Sequence, residues 1–257
     1  MKRFTAFALE SFPLIESGDN VAKAIVETTG KNRLKIEEGD IMVISHKIFS
    51  KAENRVAKLS DVVASSEARK IAEITGKDPR FAELVLRETK SVIKASPEIL
   101  IVKDRRNLVC INAGIDKSNI EGIDSFALLP QRPDISAKKC RLEIRRLTGK
   151  NVAVIICDTY SRPFRRGQVN FAIGMSGIYP FKDYRGKKDL FGQILRVKNI
   201  AIIDEIAAAA ELLMGQAKEA TPVVIFKGLS DLCESTERSS IDELYILDEE
   251  DLFRRAL

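Results

Sequence analysis

Short apolar runs alternate along the chain with amphipathic segments, and this pattern predicts interleaved strands and helices. Continuous apolar runs such as 41–45 (IMVIS) and 152–157 (VAVIIC) are typical of buried strands. Segments with helical spacing end at a glycine, as in 20–30 and 66–76. The predicted strands are 4–9, 41–45, 98–103, 108–112, 152–157 and 222–227. The predicted helices are 20–30, 66–76, 79–94, 136–148, 204–214 and 248–256.

The order of these elements is irregular, which favours an α+β fold over a regular doubly wound sheet. Residues 47–58 are expected to be extended. Residues 160–193 are rich in glycine, arginine and aromatic residues and show little periodicity, so this stretch is expected to be irregular and to carry function. No repeat, low-complexity tract or linker divides the sequence. We therefore predict one region over 1–257, with two interleaved subdomains of unmarked boundary as the alternative.

Composition and charge exclude several classes of protein. With 45% hydrophobic residues in 257, the chain is not disordered. Its net charge of +5 is compatible with an anionic small molecule and too small to predict a nucleic-acid partner. No apolar run approaches the roughly 18 residues that span a membrane, and no apolar signal core follows the N-terminus. We predict a cytoplasmic protein without a membrane partner.

The few histidines and cysteines restrict any metal chemistry. His46 is the only histidine, and the four cysteines lie too far apart for a C-x-x-C site. A catalytic metal would therefore be held mainly by oxygen atoms, which favours magnesium or manganese over zinc. The dispersed cysteines are consistent with reduced thiols.

Polar residues follow three of the predicted strands. Asp158 and Thr159 come directly after 152–157, where a carboxylate and a hydroxyl suit a hard cation, although Asp158 could instead cap the next turn. The loop 112–119 follows another strand and suits either a ligand or an ordinary Asx turn. His46 also lies at the end of a predicted strand, 41–45, and it is either a structural residue or a ligand contact.

Two further loops carry candidate ligand contacts. Arg162, Arg165 and Arg166 follow Asp158 closely, and guanidinium groups match phosphate geometry; the alternative is a solvated basic loop. The segment 214–221 suits a ligand loop or a simple helix stop. Neither a Walker motif nor a G-x-G-x-x-G fingerprint occurs, so a nucleotide would bind without those phosphate loops.

Taken together, these segments resemble the coenzyme F420-0:L-glutamate ligase family. The resemblance runs in the same order from Pro13 to Gly228, and its blocks are Ser45-His46-Lys47, Asn112-Ala113-Gly114-Ile115-Asp116, Pro133-Asp134, Asp158-Thr159, Arg162-Pro163-Phe164-Arg165-Arg166-Gly167-Gln168, Ala172-Ile173-Gly174, Asp183-Tyr184 and Asp204-Glu205-Ile206-Ala207.

The resemblance implies an enzyme that adds L-glutamate to coenzyme F420-0. It implies GTP as a substrate, two magnesium or manganese ions, and potassium as an accessory ion. Because amide formation from a free carboxylate is unfavourable in water, we expect an acyl-phosphate intermediate. The resemblance also implies a family-specific α+β fold, unrelated to ATP-grasp ligases, that forms an intertwined homodimer. The alternatives are a paralogous ligase for another amino acid or acidic acceptor, and a non-catalytic nucleotide-binding protein.

The resemblance also assigns residues. Asp116 and Asp158 are the implied catalytic residues and ligands of the first metal, and Thr159 and Gln216 are the implied ligands of the second. The residues implied to line the guanine nucleotide are Phe12, Pro13, Leu14, Ile15, His46, Lys47, Lys51, Asn119, Met214, Gly215, Gln216, Ala217, Lys218, Glu219, Ala220 and Thr221. From charge and position, we expect the three arginines to grip the acidic substrate or the phosphates.

Overall fold

A computed structural model of the protein describes residues 3–234 and 238–251, which form two compact units. The first unit comprises Met1–Pro13, Ala22–Ser45 and Pro133–Leu257, and the second comprises Leu14–Val21 and His46–Arg132. The strands are β1 (Thr5–Ala8), β2 (Ile41–Ser45), β3 (Val56–Lys58), β4 (Thr89–Ser96), β5 (Ile99–Asp104), β6 (Val109–Ile111), β7 (Ser125–Ala127), β8 (Ala153–Ser161), β9 (Gln168–Ser176), β10 (Phe181–Asp183), β11 (Asn199–Ala201) and β12 (Val223–Lys227). The α-helices are α1 (Val21–Lys31), α2 (His46–Ala52), α3 (Ser66–Thr75), α4 (Pro79–Glu88), α5 (Pro133–Thr148) and α6 (Ile202–Met214).

The first unit is built on a five-stranded sheet in the order β1-β12-β2-β8-β9. β2 and β8 run parallel, and the other neighbouring strands are antiparallel. The apolar runs of β2 and β8 are buried because the sheet is covered on both faces. Helices α5 and α6 both pack against β9. A Cβ on Gly174 of β9 would overlap Pro133, so the absence of a side chain there lets α5 lie close to the sheet.

The second unit has its own core, formed by α3, α4 and the three-stranded antiparallel sheet β4-β5-β6. Strands β3 and β7 form a separate antiparallel pair. Helix α4 begins where its sequence indicates, because Asp78 accepts a hydrogen bond from the Arg80 amide at 2.8 Å and Pro79 occupies the first helical position. Leu84, Val85 and Leu100 are among the buried residues of this core.

The α+β class predicted from the sequence is confirmed, and several element assignments are corrected. Residues 46–52 form a helix rather than an extended segment, and Lys47 and Lys51 are one helical turn apart. The helix predicted over 79–94 ends at Glu88, where β4 begins. The stretch 160–193 is partly regular, since it contains β9 and β10. The second half of β9 is buried on both faces, so it lacks the alternation of polar and apolar residues that marks a half-exposed strand. Most of the helix predicted over 248–256 lies outside the described residues.

Among the described residues, no helix is both long enough and apolar enough to cross a membrane.

Candidate functional site

Asp158 and Thr159 lie inside strand β8, which is longer than its apolar run indicates. β8 continues to Ser161 because its second half pairs with β9, with Asp158 opposite Phe171 and Thr159 opposite Asn170. The interpretation of Asp158 as a turn cap is therefore wrong. Its Oδ1 accepts a hydrogen bond from the Thr159 amide at 2.7 Å, and both side chains are partly buried. The sheet thus fixes the backbone of both residues.

Thr159 and Gln216, implied to share a metal, are in direct contact. Gln216 Nε2 donates to Thr159 Oγ1 at 2.9 Å, and Thr159 Oγ1 donates to Asn170 Oδ1 at 3.0 Å. Asn170 is only 3% exposed, and its Nδ2 lies 3.6 Å from the Cys157 sulfur. We call Thr159, Asn170 and Gln216 the amide–hydroxyl cluster. Its oxygen atoms are of the type that hard cations prefer, and the Gln216 amide can rotate to present its oxygen.

The segment 214–221 carries Gln216 from the end of α6 to this cluster. The Gly215 amide donates to the Glu211 carbonyl at 3.1 Å, so the segment begins as a helix stop. Gly215 has φ of 67°, and a Cβ there would collide with the Glu219 side chain. Glu219 Oε2 accepts from the Ala217 amide at 2.7 Å, and Thr221 Oγ1 donates to the Met214 carbonyl at 3.0 Å. These bonds close the loop on itself around Gln216.

The three candidate arginines lie in the turn that joins β8 to β9. Arg165 and Arg166 are exposed, whereas Arg162 is partly buried and its Nη2 donates to the Arg166 carbonyl at 3.1 Å. Phe164 has φ of 58° and Gly167 φ of 84°, which turn the chain back along β9. The arginines are therefore at the tip of the hairpin whose strands carry Asp158 and Asn170.

In the second unit, Asp116 forms a compact charged group with Lys47 and Ser118. Lys47 Nζ lies 2.6 Å from Asp116 Oδ2, and the Ser118 hydroxyl donates to the same oxygen at 2.6 Å. The Ser118 amide donates to Oδ1 at 2.9 Å, so the Asx turn considered for this loop is present. Burial raises the pKa of Asp116, but Lys47 and Ser118 more than offset this and lower the pKa to about 2. Asp116 is therefore ionised at neutral pH, as a metal ligand must be.

The backbone that leads to Asp116 is strained. Asn112, Ala113 and Gly114 all have positive φ angles, of 52°, 55° and 69°. A Cβ on Gly114 would lie 2.6 Å from the Leu129 side chain, so only glycine fits there. Asp116 itself is held by a reciprocal backbone pair with Ala127, at 3.1 and 2.8 Å. Strain of this kind is common at functional sites.

The remaining nucleotide candidates differ in their surroundings. Lys51 shares one face of α2 with Lys47, and burial, followed by the charge of Lys47, lowers the pKa of Lys51. His46 is 1% exposed with Nδ1 3.2 Å from Ser50 Oγ, which favours its structural interpretation. Asn119 is exposed with φ of 57°. In the segment 12–15, Phe12 and Ile15 are buried and Pro13 and Leu14 are exposed.

The candidates are thus divided between the two units. The first unit holds Phe12, Pro13, Asp158, Thr159 and 214–221, and the second holds Leu14, Ile15, His46, Lys47, Lys51, Asp116 and Asn119. No group of three or more His, Cys, Asp or Glu side chains within 3–234 and 238–251 is placed to hold a metal. The implied donor set nevertheless fits a hard cation, because it contains only carboxylate, hydroxyl and amide oxygens.

Sequence reasoning missed one residue of these groups and one contact. The residue missed is Asn170, which lies inside an apolar strand; the available signal was an asparagine within the otherwise apolar run VNFAIGM. Ser118 was noted within its loop, but its bonds to Asp116 depend on the turn that follows the strained segment.

Comparisons with a family profile and with individual known proteins all point to the same family. The sequence profile of the family described as F420-0:Gamma-glutamyl ligase matches residues 10–228. A protein of Archaeoglobus fulgidus named coenzyme F420:L-glutamate ligase is 44% identical over 255 residues, which cover 99% of this chain and 98% of that protein. Proteins of the same name from Methanopyrus kandleri and Methanocaldococcus jannaschii are 43% and 46% identical over 89% and 75% of this chain, and over 90% and 77% of their own lengths.

Proposed function

Since this chain belongs to the F420-0:gamma-glutamyl ligase family and is a ligase, we propose that it joins L-glutamate to coenzyme F420-0 with GTP as the energy source. One observation carries the proposal. The similarity to proteins named as glutamate ligases extends through nearly the whole chain, and the range matched by the family profile, 10–228, spans the positions of Asp116, Asp158, Thr159 and Gln216.

The proposed reaction has two steps. Amide formation from a free carboxylate is unfavourable in water, so the acceptor carboxylate is activated first. A carboxylate oxygen attacks the γ-phosphorus of GTP, GDP leaves, and an acyl phosphate forms. The amine of glutamate then attacks the acyl carbon, loses a proton, and expels inorganic phosphate. Positioning and charge neutralisation are the main contributions that a protein makes to such a transfer.

Asp116, Asp158, Thr159 and Gln216 are the residues proposed to hold two magnesium or manganese ions. Bound there, the ions would neutralise negative charge on phosphate oxygens. Asp116 is suited to this role because Lys47 and Ser118 keep it ionised and oriented. Thr159 and Gln216 are suited because Asn170 fixes the Thr159 hydroxyl from inside the sheet. We also propose potassium as an accessory ion.

The cationic residues are proposed to bind the anionic groups of the substrates. Lys47 and Lys51 lie one turn apart on α2, where their repulsion would be offset by a phosphate. The nucleotide is proposed to lie along Phe12–Ile15, α2, Asn119 and the loop 214–221. Arg162, Arg165 and Arg166 would grip the phosphates or the acidic acceptor.

We further propose that the protein works in the cytoplasm as a homodimer. Its four cysteines are free, and burial raises the pKa of Cys140 to about 12. Such thiols are inert, which suits a reducing compartment. Light scattering tests the dimer, because a monomer mass at the working concentration contradicts it.

A nucleotide-consumption assay tests the proposed function. The purified protein is incubated with magnesium and GTP, with L-glutamate and coenzyme F420-0 added together or omitted in turn. We expect GDP release only when both are present, together with a product heavier than coenzyme F420-0 by one glutamyl residue. GDP release that requires a different amino acid instead of glutamate would indicate the paralogous ligase. Nucleotide binding without turnover under any combination would indicate a non-catalytic protein.

A further inference from the structure

The second unit contains a cavity of about 360 Å³ whose lining is dominated by arginine. This volume is at the lower end of the range for small-molecule sites. None of its residues belongs to the proposed metal or nucleotide set. The lining residues are Arg55, Arg87, Glu88, Arg105, Arg106, Gln131 and Arg132.

Several elements of the unit bring these arginines together. Arg55 directly precedes β3, and Arg87 lies in the last turn of α4. Arg105 and Arg106 form the turn between β5 and β6, and the Arg105 amide donates to the Glu88 carbonyl at 2.9 Å. That bond ties the turn to the end of α4. The cavity is therefore built by the end of α4 and by neighbouring turns and connections of one unit.

The two inner arginines are fixed by the protein itself. Arg55 Nε donates to the Leu129 carbonyl at 3.1 Å, and Arg106 Nη1 donates to the Pro130 carbonyl at 3.2 Å. Asp104, which is fully buried, accepts from Arg106 Nε at 2.8 Å. Both guanidinium groups are therefore held in place before any ligand arrives.

Positive charge exceeds negative charge around the cavity. Glu88 is its one acidic lining residue, and its Oε2 lies 2.6 Å from Arg55 Nη2 and 3.6 Å from Arg106 Nη1. Outside the lining, Asp104 pairs with Arg106, and Glu83 pairs with Arg87. Even when these two acids are included, the five lining arginines outnumber the three carboxylates Glu88, Asp104 and Glu83. An anion in the cavity would offset the remaining repulsion.

We propose that this cavity binds a small polyanion that carries at least two carboxylate or phosphate groups. Guanidinium groups bind both kinds of oxyanion through paired hydrogen bonds. More than one group is required because the arginines come from separate elements around the cavity. Arg87 and Arg105 are exposed and line the same cavity.

Isothermal titration calorimetry on the whole chain tests this site. Inorganic pyrophosphate and L-γ-glutamyl-L-glutamate serve as the phosphate and carboxylate probes. The titrations are run at low salt, with protein and buffers freed of divalent metal on a chelating resin, so that metal-bridged binding is removed and no soluble chelator competes for the cavity. The test variant is R87Q/R105Q, which leaves the buried Asp104–Arg106 pair intact. The matched control is R69Q/R80Q, which removes the same charge from exposed positions of the same unit outside the cavity.

We expect at least one probe to bind the wild-type protein and the control alike. Binding by R87Q/R105Q is expected to be weaker by at least about tenfold, because charge-assisted hydrogen bonds are lost. The probe that binds more tightly identifies the source of the oxyanions. No binding of either probe, or equal binding by R87Q/R105Q and the control, overturns the proposal. Neither result bears on the ligase reaction, which the nucleotide-consumption assay tests separately.

Discussion

The two units carry candidate groups of different chemical character. In the first unit the amide–hydroxyl cluster is neutral, and its members are joined by hydrogen bonds between side chains that lie far apart in the sequence. In the second unit Asp116, Lys47 and Ser118 form a charged group, in which an ion pair of 2.6 Å is reinforced by two bonds from a neighbouring serine. The comparison shows that the oxygen atoms proposed as metal ligands are held in place in two different ways.

The two groups therefore depend on different stabilising interactions. Neutral donors such as Thr159 need positioning, which the β8–β9 pairing and Asn170 supply. A carboxylate such as Asp116 must stay ionised although it is partly buried. The ammonium of Lys47 stabilises the ionised form. Substitutions in the amide–hydroxyl cluster should therefore disturb geometry, and substitutions in the group of Asp116, Lys47 and Ser118 should disturb charge.

The largest effect is expected for Asp158→Asn. Asparagine has a similar volume but no charge, so turnover should fall by more than about a hundredfold. This loss should be larger than the loss caused by removing a residue that only orients a metal ligand. Steady-state ligation and thermal unfolding measure the two consequences. The matched control is Asp183→Asn, because Asp183 is an exposed residue of the same unit that pairs with Arg185. Near-normal ligation by Asp158→Asn at limiting metal would remove Asp158 from the ligand set.

A smaller loss is expected for Lys47→Met. Removing the ammonium raises the pKa of Asp116 and takes one positive charge from the proposed phosphate site, so the Kd for GTP should rise about tenfold. Fluorescent nucleotide binding measures the change. Lys58→Met serves as the control, since Lys58 is exposed in the same unit. Unchanged nucleotide affinity in Lys47→Met would place the phosphates elsewhere.

Asn170→Ala tests positioning in the first unit. Thr159 and Gln216 would lose a shared partner, so the magnesium concentration for half-maximal activity should rise about tenfold, with a smaller change in kcat. Metal titration of the ligation rate separates the two parameters. Asn151→Ala is the control, because Asn151 is an exposed asparagine of the same unit that bonds Glu38. A fall in kcat alone, with the metal response unchanged, would show that the cluster does not orient metal ligands.

The smallest effect concerns stability against pH. The pKa of Asp116 is lowered to about 2 in the folded protein, so its contribution is present above the ordinary carboxyl pKa and is lost as pH falls toward 2. Because its side chain is 41% exposed, screening limits this contribution to about 1 kcal/mol. Urea unfolding should show the wild type more stable than Asp116→Asn at pH 7, with the difference shrinking below about pH 5. A difference that is constant from pH 7 to pH 3 would contradict the charged character of this group.

The sequence predicted those parts of the fold in which the local pattern and the tertiary environment agree. The strand predicted at 41–45 is observed as β2 with the same bounds, and the helix predicted at 66–76 is observed as α3. Residues 46–52 were misassigned because a short helix with two buried apolar residues has too few turns to show a period. β9 was missed because burial on both faces removes strand alternation.

The candidate groups were harder to predict from the sequence, because their members are brought together only by the tertiary structure. Nothing local in the sequence places Gln216 beside Thr159, and that association came from family resemblance alone. The Lys47–Asp116 pair likewise required α2 and the 112–119 loop to be positioned by the second unit. The arginine cavity has no motif, because its members come from separate elements.

Oxygen-isotope transfer tests the central claim, which is activation of the acceptor carboxylate by the phosphoryl group of GTP. Coenzyme F420-0 with 18O in its reacting carboxylate is incubated with the protein, GTP, magnesium and L-glutamate, and the released phosphate is analysed by mass spectrometry. The acyl-phosphate route predicts one carboxylate-derived oxygen in the phosphate for each amide formed, because that oxygen becomes the bridge that leaves with phosphorus. Amide formation that releases phosphate without the carboxylate oxygen would contradict the account.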